Sequence, residues 1–351
     1  MIDRRTLLAA SLAFPASRAL AQHDGHDPLF QSLRDPKVTT LPEAELEAQR
    51  FTYSPAPKAA PAGRWVERAP LPLPRSEMAW ATVWADRLYV IGGYGEGRVD
   101  RAYHHVYDAA ADAWGTLAPL PKGANHVGVA AMEGVIYAVG GFIEQNKAPH
   151  SDCFAYSVDF DQWRDLPPLT SPRGAISVVA RDGMVHLIGG RDARSLDTHE
   201  VLDPKSGKWE RRAPIPGPRD HAGAVVLDGN IHVVGGRMDT FHFNTGLHVR
   251  YDPASDRWSE VAPMPTPRSG HGAVVFQGRI FVMGGEGTRR VFGQTEAYDL
   301  QSDSWSAYTP MLTPRHGMGA GTIGNRIHVA GGGPMNGGVF QSSVHEAFEL
   351  G

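Results

Sequence analysis

Short apolar segments alternate with turns along most of the chain. Residues 271–276 form one small apolar segment, a Gln-Gly turn follows, and residues 279–283 are apolar again before a pair of glycines. After a variable loop, residues 295–298 and 304–308 flank a second turn in the same way. Runs of about five such residues between turn residues are typical of strands. The pattern predicts a unit of four short strands arranged as two hairpins.

This unit recurs, because its sequence markers keep a nearly constant spacing. Diglycine pairs recur at intervals of 46 to 49 residues, at Gly92-Gly93, Gly140-Gly141, Gly189-Gly190, Gly235-Gly236, Gly284-Gly285 and Gly331-Gly332. A tryptophan recurs with the same period, at Trp65, Trp114, Trp163, Trp209, Trp258 and Trp305. Seven residues before the last five tryptophans lie Tyr107, Tyr156, Leu202, Tyr251 and Tyr298. One four-stranded sheet cannot bury both of its faces alone, so the copies are expected to stack around an axis.

The two ends of the array predict how the ring closes. Trp65 has no diglycine or tyrosine before it, and the last unit stops at Phe348-Glu349 without a tryptophan strand. We therefore expect the segment around Trp65 to add the fourth strand to the last sheet. The predicted fold over residues 63–351 is an all-β propeller of six blades, with the last blade closed by an N-terminal strand.

The combination of diglycine, tyrosine and tryptophan resembles the kelch repeat, and the resemblance covers nearly all of residues 63–350. It implies a kelch-type β-propeller. Kelch-like propellers serve as enzymes, peptide receptors and scaffolds, so the resemblance is more specific for architecture than for function.

The first residues predict an export signal. An arginine pair at residues 4–5 precedes an apolar stretch at residues 7–14, and the Ala-Leu-Ala triplet at residues 19–21 supplies a cleavage site. The apolar stretch is too short to span a bilayer, so we expect residues 1–21 to be a twin-arginine-like signal peptide and expect no membrane span. Residues 22–62 are rich in proline and alanine and predict an N-terminal arm. The expected location is periplasmic or extracellular.

Composition narrows the possible partners. The 351 residues carry 34 basic and 38 acidic side chains, a formal net charge of -4. This balance provides no chain-wide positive field for a phosphate backbone, and we expect no nucleic-acid partner. Cys153 is the only cysteine, so it cannot form an intramolecular disulfide. Stability is therefore expected to come from packing.

Arginines precede most of the predicted first strands. They are Arg75, Arg173, Arg219, Arg268 and Arg315. First strands lie nearest the propeller axis and begin at one mouth of the channel, so these arginines are predicted to form a positive collar that binds carboxylate or phosphate oxygens. The kelch resemblance implies the same, since some kelch-like receptors hold acidic peptides with arginines at this end. The alternative is that each arginine braces a loop by bonding to carbonyls or to acids such as Asp220.

Histidines lie close to the same strand starts, at His126, His221, His271 and His316. Because strand side chains alternate between faces, the first two and the last two are expected to point differently, so the four do not predict one ring of ligands. A pair of them with Asp220 or Glu77 leaves a metal site open. The favoured interpretation is hydrogen bonding in the channel lining, with no metal and no cofactor.

The loops after the diglycines open onto the same mouth, where a rigid scaffold commonly carries its binding residues. Their candidate ligand-binding residues are Glu144, Arg191, Arg237, Asp239 and Glu286. Carboxylates and guanidiniums close to aromatic rings suit a sugar or a small acid. The alternative is that these polar residues serve solubility alone.

The leading hypothesis is an exported binding or scaffold protein for an anionic or polyhydroxy ligand, such as a sugar acid or an acidic peptide, at the arginine-bearing mouth. A resemblance to sialic acid mutarotases implies an alternative, a carbohydrate-active enzyme with Glu144, Asp239 or Glu286 transferring protons and Arg219 holding the substrate carboxylate. A resemblance to galactose oxidase implies a copper enzyme, for which Cys153 and the step Tyr103-His104 are the candidates. The sequence leaves open whether the protein is an enzyme.

Overall fold

The computed structural model describes residues 62–78, 81–288 and 290–350. Within these ranges the chain consists almost entirely of short antiparallel strands and turns, with single 3-10 turns at Glu96–Arg98 and Phe241–Phe243.

The predicted signal peptide at residues 1–21 lies outside the described residues, as does the predicted arm at 22–62 apart from Ala62. In the part of the chain that the structure describes, no helix has the length and apolar character needed to cross a membrane.

Six four-stranded antiparallel sheets form the blades, with strands numbered β1 to β30 in chain order. Blades 1 to 3 consist of β2 (Thr82–Trp84), β3 (Arg87–Ile91), β6 (His104–Asp108) and β7 (Ala113–Thr116); β8 (Gly128–Met132), β9 (Val135–Val139), β12 (Cys153–Ser157) and β13 (Gln162–Leu166); and β14 (Ser177–Arg181), β15 (Met184–Ile188), β16 (His199–Asp203) and β17 (Lys208–Arg211). Blades 4 to 6 consist of β18 (Gly223–Leu227), β19 (Asn230–Val234), β20 (His248–Asp252) and β21 (Arg257–Val261); β22 (Gly272–Phe276), β23 (Arg279–Met283), β26 (Thr295–Asp299) and β27 (Ser304–Tyr308); and β28 (Gly319–Ile323), β29 (Arg326–Ala330), β30 (His345–Glu349) and β1 (Arg64–Glu67). Small hairpins in the diglycine loops pair β4 (Tyr94–Gly95) with β5 (Val99–Asp100), β10 (Phe142–Ile143) with β11 (Ala148–Pro149), and β24 (Glu286–Gly287) with β25 (Arg290–Val291).

The innermost strands β2, β8, β14, β18, β22 and β28 contact one another in cyclic order, so the six sheets form a closed ring. This arrangement confirms the predicted all-β propeller of six blades. The strands enclose a central cavity of about 210 Å³, lined mainly by small side chains such as Ala81, Val129, Ala224 and Ala273.

Blade 6 combines strands from both ends of the described chain. β1 pairs antiparallel with β30, with Trp65 opposite Phe348 and Arg64 opposite Glu349. The indole N–H of Trp65 also donates to the carbonyl of Thr309 in blade 5 at 2.8 Å.

The diglycines allow one blade to pack closely on the next. Gly189 has a φ of 63°, and a Cβ built on it would lie only 2.4 Å from the carbonyl oxygen of Arg219 at the start of blade 4. The next residue, Gly190, donates its N–H to the same carbonyl at 3.0 Å. A side chain at Gly189 would therefore displace the neighbouring blade.

The recurring tyrosine and tryptophan form a clamp between neighbouring blades. In blade 4 the Tyr251 hydroxyl donates to the Asp256 carboxylate at 2.7 Å, and the same oxygen accepts the N–H of Ala213, which follows blade 3, at 2.9 Å. The indole N–H of Trp258 donates to the carbonyl of Ala213 at 2.8 Å. We call this tyrosine, aspartate and tryptophan arrangement the blade clamp, and blades 1, 2 and 5 repeat it.

Blade 3 has no blade clamp. Leu202 replaces the tyrosine, Gly207 replaces the aspartate, and the buried indole N–H of Trp209 has no hydrogen-bond partner among the residues that the structure describes. The residue of blade 2 that would donate its N–H to the aspartate is Pro167, which has no N–H. The departure from tyrosine at position 202 is therefore one part of a junction changed at several positions.

Histidine pairs lie inside blades 3, 4 and 6, between the second and third strands. The pairs are His186 with His199, His232 with His248, and His328 with His345, at 2.9 to 3.0 Å between ring nitrogens. The third-strand ring of each pair also packs edge-on against a tyrosine of the next blade. These histidines therefore belong to the packing between strands and between blades.

Candidate functional site

One residue with a left-handed backbone leads into the first strand of each blade. These residues have φ angles between 48° and 62°, and they are Glu77, His126, Ala175, His221, Gly270 and Gly317. From one blade to the next, the later residue donates its N–H to the carbonyl of the earlier one at 2.8 to 3.3 Å. The N–H of Met78 donates to the carbonyl of Gly317 at 3.4 Å, which closes the circle around the axis. We call these six residues the entry ring.

Four members of the entry ring are not glycine. A left-handed backbone costs a residue with a side chain about 1 to 3 kcal/mol, and it persists only where the surroundings hold it in place. Such strain is concentrated at functional sites, so the side chains of Glu77, His126 and His221 are candidates for a functional site.

The Glu77 carboxylate lies between two imidazoles from the adjacent blades. The Nε2 atom of His126 is 3.0 Å from Oε2, and the Nδ1 atom of His316 is 3.1 Å from Oε1. The far nitrogen of His126 contacts the side-chain oxygen of Asn125, and the far nitrogen of His316 contacts the carbonyl oxygen of Met335 at 2.6 Å. Oxygens accept hydrogen bonds here, so each far nitrogen carries a hydrogen and each near nitrogen faces the carboxylate.

The orientation of Asn125 is fixed by its own partners. Its side-chain nitrogen donates to the Asp100 carboxylate at 2.7 Å and to the carbonyl of Phe142 at 3.0 Å. Both partners are acceptors, so the amide oxygen is the atom that faces the Nδ1 atom of His126.

Arg237 connects the acids and the histidine on the side of the site contributed by blades 4 and 5. Its guanidinium donates to Glu286 at 2.6 Å, to Asp220 at 3.2 Å and to the Nε2 atom of His221 at 2.9 Å. The Nδ1 atom of His221 donates to Asp220, and that carboxylate also accepts the Ser195 hydroxyl. The chain thus brings together seven buried side chains, which we call the axial cluster: Glu77, His126, Asp220, His221, Arg237, Glu286 and His316.

Burial and charge act in opposite directions on the acids of the axial cluster. Burial alone would raise the pKa of Glu77, but His126 and His316 hold it well below its usual value. Burial would also raise the pKa of Glu286, but the charges of His316 and Arg237 have the larger effect and lower it. The pKa of Asp220 is lowered in the same way by His221 and Arg237.

The basic groups respond to the same neighbours. Burial would lower the pKa of His316, but Glu286 and Glu77 raise it to about 9. Burial and the charge of Arg237 lower the pKa of His221 to about 4. Two groups in the described residues bring ligand atoms within 4.8 Å of one another: Glu77, His126 and His221, and Glu77, Glu286 and His316.

The five arginines predicted to form a collar are buried and do not reach the rim. Arg173, Arg268 and Arg315 pair with glutamates on the third strands of their own blades, Glu200, Glu296 and Glu346. Arg75 donates to the carbonyls of Gly92 and Tyr103 at 3.2 Å, and Arg219 donates to the carbonyl of Leu247 at 3.0 Å. The prediction of a positive collar at the channel mouth is therefore corrected. These side chains brace the blades, because their length lets them reach strand ends inside the fold.

The four predicted histidines separate into two groups. His126, His221 and His316 join the axial cluster, whereas His271 lies one residue past the entry ring and lines the central cavity. Burial lowers the pKa of His271 to about 3.

The loops of blades 3 and 4 are bonded to each other. The Asp239 carboxylate accepts the N–H of Ser195 at 2.7 Å and a guanidinium N–H of Arg194 at 3.3 Å, while the Asp239 N–H donates to the Ser195 hydroxyl. Arg191 is half-buried and contacts the carbonyl of Asp239 at 3.5 Å. Phe243 follows on the same loop as Asp239 and is 62% exposed.

Exposed apolar side chains are concentrated on these diglycine loops. In the described ranges the exposed large hydrophobic residues are Leu73, Val99, Phe160, Met238, Phe243 and Val339. Val99, Met238, Phe243 and Val339 lie in the loops that follow the diglycines of blades 1, 4 and 6. The loop-bearing end thus offers contact surface that the rest of the described molecule largely lacks.

A family model, the KLHDC2/KLHL20/DRC7 Kelch-repeats domain, matches residues 130–332, which is more than half of the chain. The chain belongs to the kelch-repeat family. The match runs from the first strand of blade 2 to the diglycine of blade 6, so it follows the propeller units described above. A search of curated proteins found no match. A kelch propeller is in general a fold for binding partners or for scaffolding them.

The kelch propeller holds the proposed catalytic groups in different surroundings. Glu144 is exposed on the turn between β10 and β11, Asp239 binds the backbone of blade 3, and Glu286 is buried against Arg237. For copper chemistry, Cys153 lies in the core of blades 2 and 3, where burial raises its pKa to about 12. His104 packs on Tyr156 between blades 1 and 2.

The sequence predicted Glu77 and Asp220 only as possible partners of a histidine pair in a metal site, and it did not predict a role for Asn125. The signal lies in the repeat itself: each residue comes one or two positions after the place that arginine occupies in most kelch units. Those two positions are the entry ring and the residue that precedes each of its members. Comparing the residues at these two positions across all six units would have singled out most of the charged and histidine side chains of the axial cluster.

Proposed function

We propose that this protein is an exported binding protein that takes an anionic or polyhydroxy ligand, such as a sugar acid or an acidic peptide, on the joined loops of blades 3 and 4. The observation that carries the proposal is that these loops present an exposed guanidinium, a carboxylate and an exposed aromatic ring together. The three side chains are those of Arg194, Asp239 and Phe243.

Each of these side chains suits a different part of such a ligand. The Arg194 side chain is 82% exposed, and its guanidinium can donate two parallel hydrogen bonds to a carboxylate. The ring of Phe243 can stack on the apolar face of a sugar, while the Asp239 carboxylate can accept hydroxyl groups. The hydrogen bonds between Ser195 and Asp239 hold the two loops in one arrangement before a ligand arrives, which reduces the entropy cost of binding.

Binding measurements with defined probes test this proposal. We expect N-acetylneuraminate, glucuronate or a glutamate-rich peptide to bind the full chain, and Arg194→Ala or Phe243→Ala to weaken that binding by about 10-fold or more, since each contact contributes roughly 1.4 kcal/mol. Arg211→Ala and Phe160→Ala are matched controls, because Arg211 is 85% exposed on an outer strand and Phe160 is exposed on a turn between the third and fourth strands. Equal losses in all four variants, or no binding of any probe, would contradict the proposal.

Export is the second part of the proposal, and the arginine pair, apolar stretch and small-residue triplet of residues 1–21 support it. We expect the chain recovered from a periplasmic or culture fraction to begin near Gln22 by N-terminal sequencing. Replacing Arg4 and Arg5 by lysine should retain the full-length chain in the cytoplasm, whereas replacing the lone Arg18 should not. An intact N terminus on protein outside the cytoplasm would contradict the predicted cleavage.

A further inference from the structure

We propose that the axial cluster binds one divalent first-row transition-metal ion, with Glu77, Glu286 and His316 as its ligands. The proposal does not depend on the ligand proposed for the loops of blades 3 and 4, because none of its three residues belongs to those exposed contacts.

The ligand atoms have the spacing that one ion requires. The Nδ1 atom of His316 lies 3.1 Å from Oε1 of Glu77 and 3.8 Å from Oε2 of Glu286, and all three ligand atoms lie within 4.8 Å of one another. Ligands bound at about 2.0 to 2.2 Å from one zinc-like ion are separated from each other by roughly 3 to 4 Å. The side chains come from blades 1, 5 and 6, so the fold itself brings them together.

The near nitrogen of His316 is oriented as a metal ligand. The far nitrogen, Nε2, bonds to the carbonyl of Met335, so it carries the hydrogen and leaves a lone pair on Nδ1 in the neutral ring. Nδ1 is fully buried, and its contact with Glu77 lacks the alignment of a hydrogen bond. At metal centres the second nitrogen of a ligating histidine is commonly held in this way by a backbone carbonyl, and the metal ion takes the place of the proton on the nitrogen that faces the carboxylates.

The carboxylate ligands are also held by outer contacts. Arg237 donates to Oε1 of Glu286, and the N–H of Gly337 donates to Oε2 at 2.8 Å, so this side chain cannot turn away from the axis. The second oxygen of Glu77 faces His126, which Asn125 orients. These contacts are the outer supports that fix ligand geometry in metal sites.

The charges of the axial cluster call for a dication. Glu77, Asp220 and Glu286 supply three negative charges, and Arg237 supplies one positive charge. A metal ion bound at Nδ1 displaces the proton of His316, and with all three histidines neutral the buried net charge of the other groups is minus two. Buried charge that is not compensated is costly, and one divalent cation would neutralise this cluster. A donor set of imidazole and carboxylates suits zinc, manganese or ferrous iron better than a thiolate-seeking ion.

Zinc binding to the full chain tests the proposal. We strip the protein with a chelator, add zinc, remove the excess and measure the bound metal, and then measure affinity by calorimetry. We expect one zinc ion per chain, with affinity reduced at least about 100-fold in Glu286→Gln and in His316→Gln. His242→Gln is the matched control, because His242 is an exposed histidine on the blade 4 loop, and its zinc affinity should equal that of the wild type.

X-ray absorption on the zinc-loaded wild type keeps the proposal testable if a variant fails to fold. We expect first-sphere oxygen and a single imidazole, and we expect circular dichroism to show folded variants wherever affinity is compared. Absence of zinc from the wild type, several imidazoles in the first sphere, or unchanged affinity in folded Glu286→Gln would overturn the proposal. Arg194→Ala should keep full zinc content, so a failure of the loop-ligand proposal leaves this result unaffected.

Discussion

At the scale of single residues, arginines at one position of the repeat have unequal surroundings. Arg268 donates to three backbone carbonyls and to Glu296, all inside blade 5. In blade 4, Val249 occupies the place of that glutamate, and the hydrogen bond that the structure gives Arg219 goes to the carbonyl of Leu247. Burial lowers the pKa of Arg219 to about 10. Arg268 completes a buried ion pair, whereas no ion pair is found for Arg219 among the described residues and the charge of Glu260 offsets its burial only in part.

This difference predicts unequal costs of substitution. Arg268→Met should lower the free energy of unfolding by about 3 to 5 kcal/mol, because it leaves Glu296 buried without its cation, and Glu296→Leu in the same chain should restore most of the loss. Arg219→Met should change it by less than about 1 kcal/mol, because methionine fills similar space and leaves no acid unpaired. Urea unfolding measures both, and equal losses would show that the ion pair is not the cause.

At the scale of strands and blades, the histidine pairs buried inside blades 3, 4 and 6 make the stability of the protein depend on pH in the acidic range. In each pair one ring nitrogen donates and the other accepts, so the accepting ring must be neutral at that nitrogen. Burial lowers the pKa of His186, His232 and His328 to about 4, and burial together with the partner ring lowers that of His199, His248 and His345 to about 3. In an unfolded chain the same rings have a pKa of about 6.5.

The sign of the pH dependence follows from these values. Between about pH 6.5 and pH 4 the unfolded chain binds more protons than the folded chain, so the free energy of unfolding should fall as the pH is lowered through that window. His232→Tyr should make this fall shallower, because tyrosine already occupies the equivalent place at Tyr89 and Tyr137 and does not gain a proton. Urea unfolding at several pH values measures the slope. An identical slope in the variant would exclude the pair in blade 4 as a contributor.

At the scale of the whole molecule, the sequence predicted the ring because its markers each have a geometric task. The glycines avoid a clash with the next blade, the tryptophans bond across blade junctions, and the tyrosines hold the aspartates that also bond across them. The spacing of these markers therefore reports the size of a blade. The candidate site was harder to predict. The direction of Arg268 depends on Glu296, which lies on the third strand 28 residues later, and the sequence does not show that these atoms meet.

The axial cluster illustrates the same limit. Glu77, Asp220 and Asn125 acquire their roles through contacts with side chains from other blades. Glu77 in blade 1, for example, meets His316 in blade 6. Alternation along a strand places both His271 and His316 apart from His126, yet the ring of His316 reaches Glu77 from a position just before the strand. Parity rules apply within strands, and the entry ring lies outside them.

The missing blade clamp in blade 3 gives the closed ring an uneven mechanical strength. The seam between blades 2 and 3 has a buried Trp209 indole without a hydrogen-bond partner among the described residues. Four other seams carry the whole blade clamp, and the seam between blades 5 and 6 keeps the tryptophan bond, from Trp65 to the carbonyl of Thr309. By contrast, the two ends of the described chain are joined by the antiparallel pairing of β1 with β30. On heating, a closed ring of blades is expected to open first at the junction with the fewest interactions. This propeller should therefore begin to unfold beside blade 3, which carries Arg191 and Arg194, and not in blade 6, where the two ends of the described chain pair.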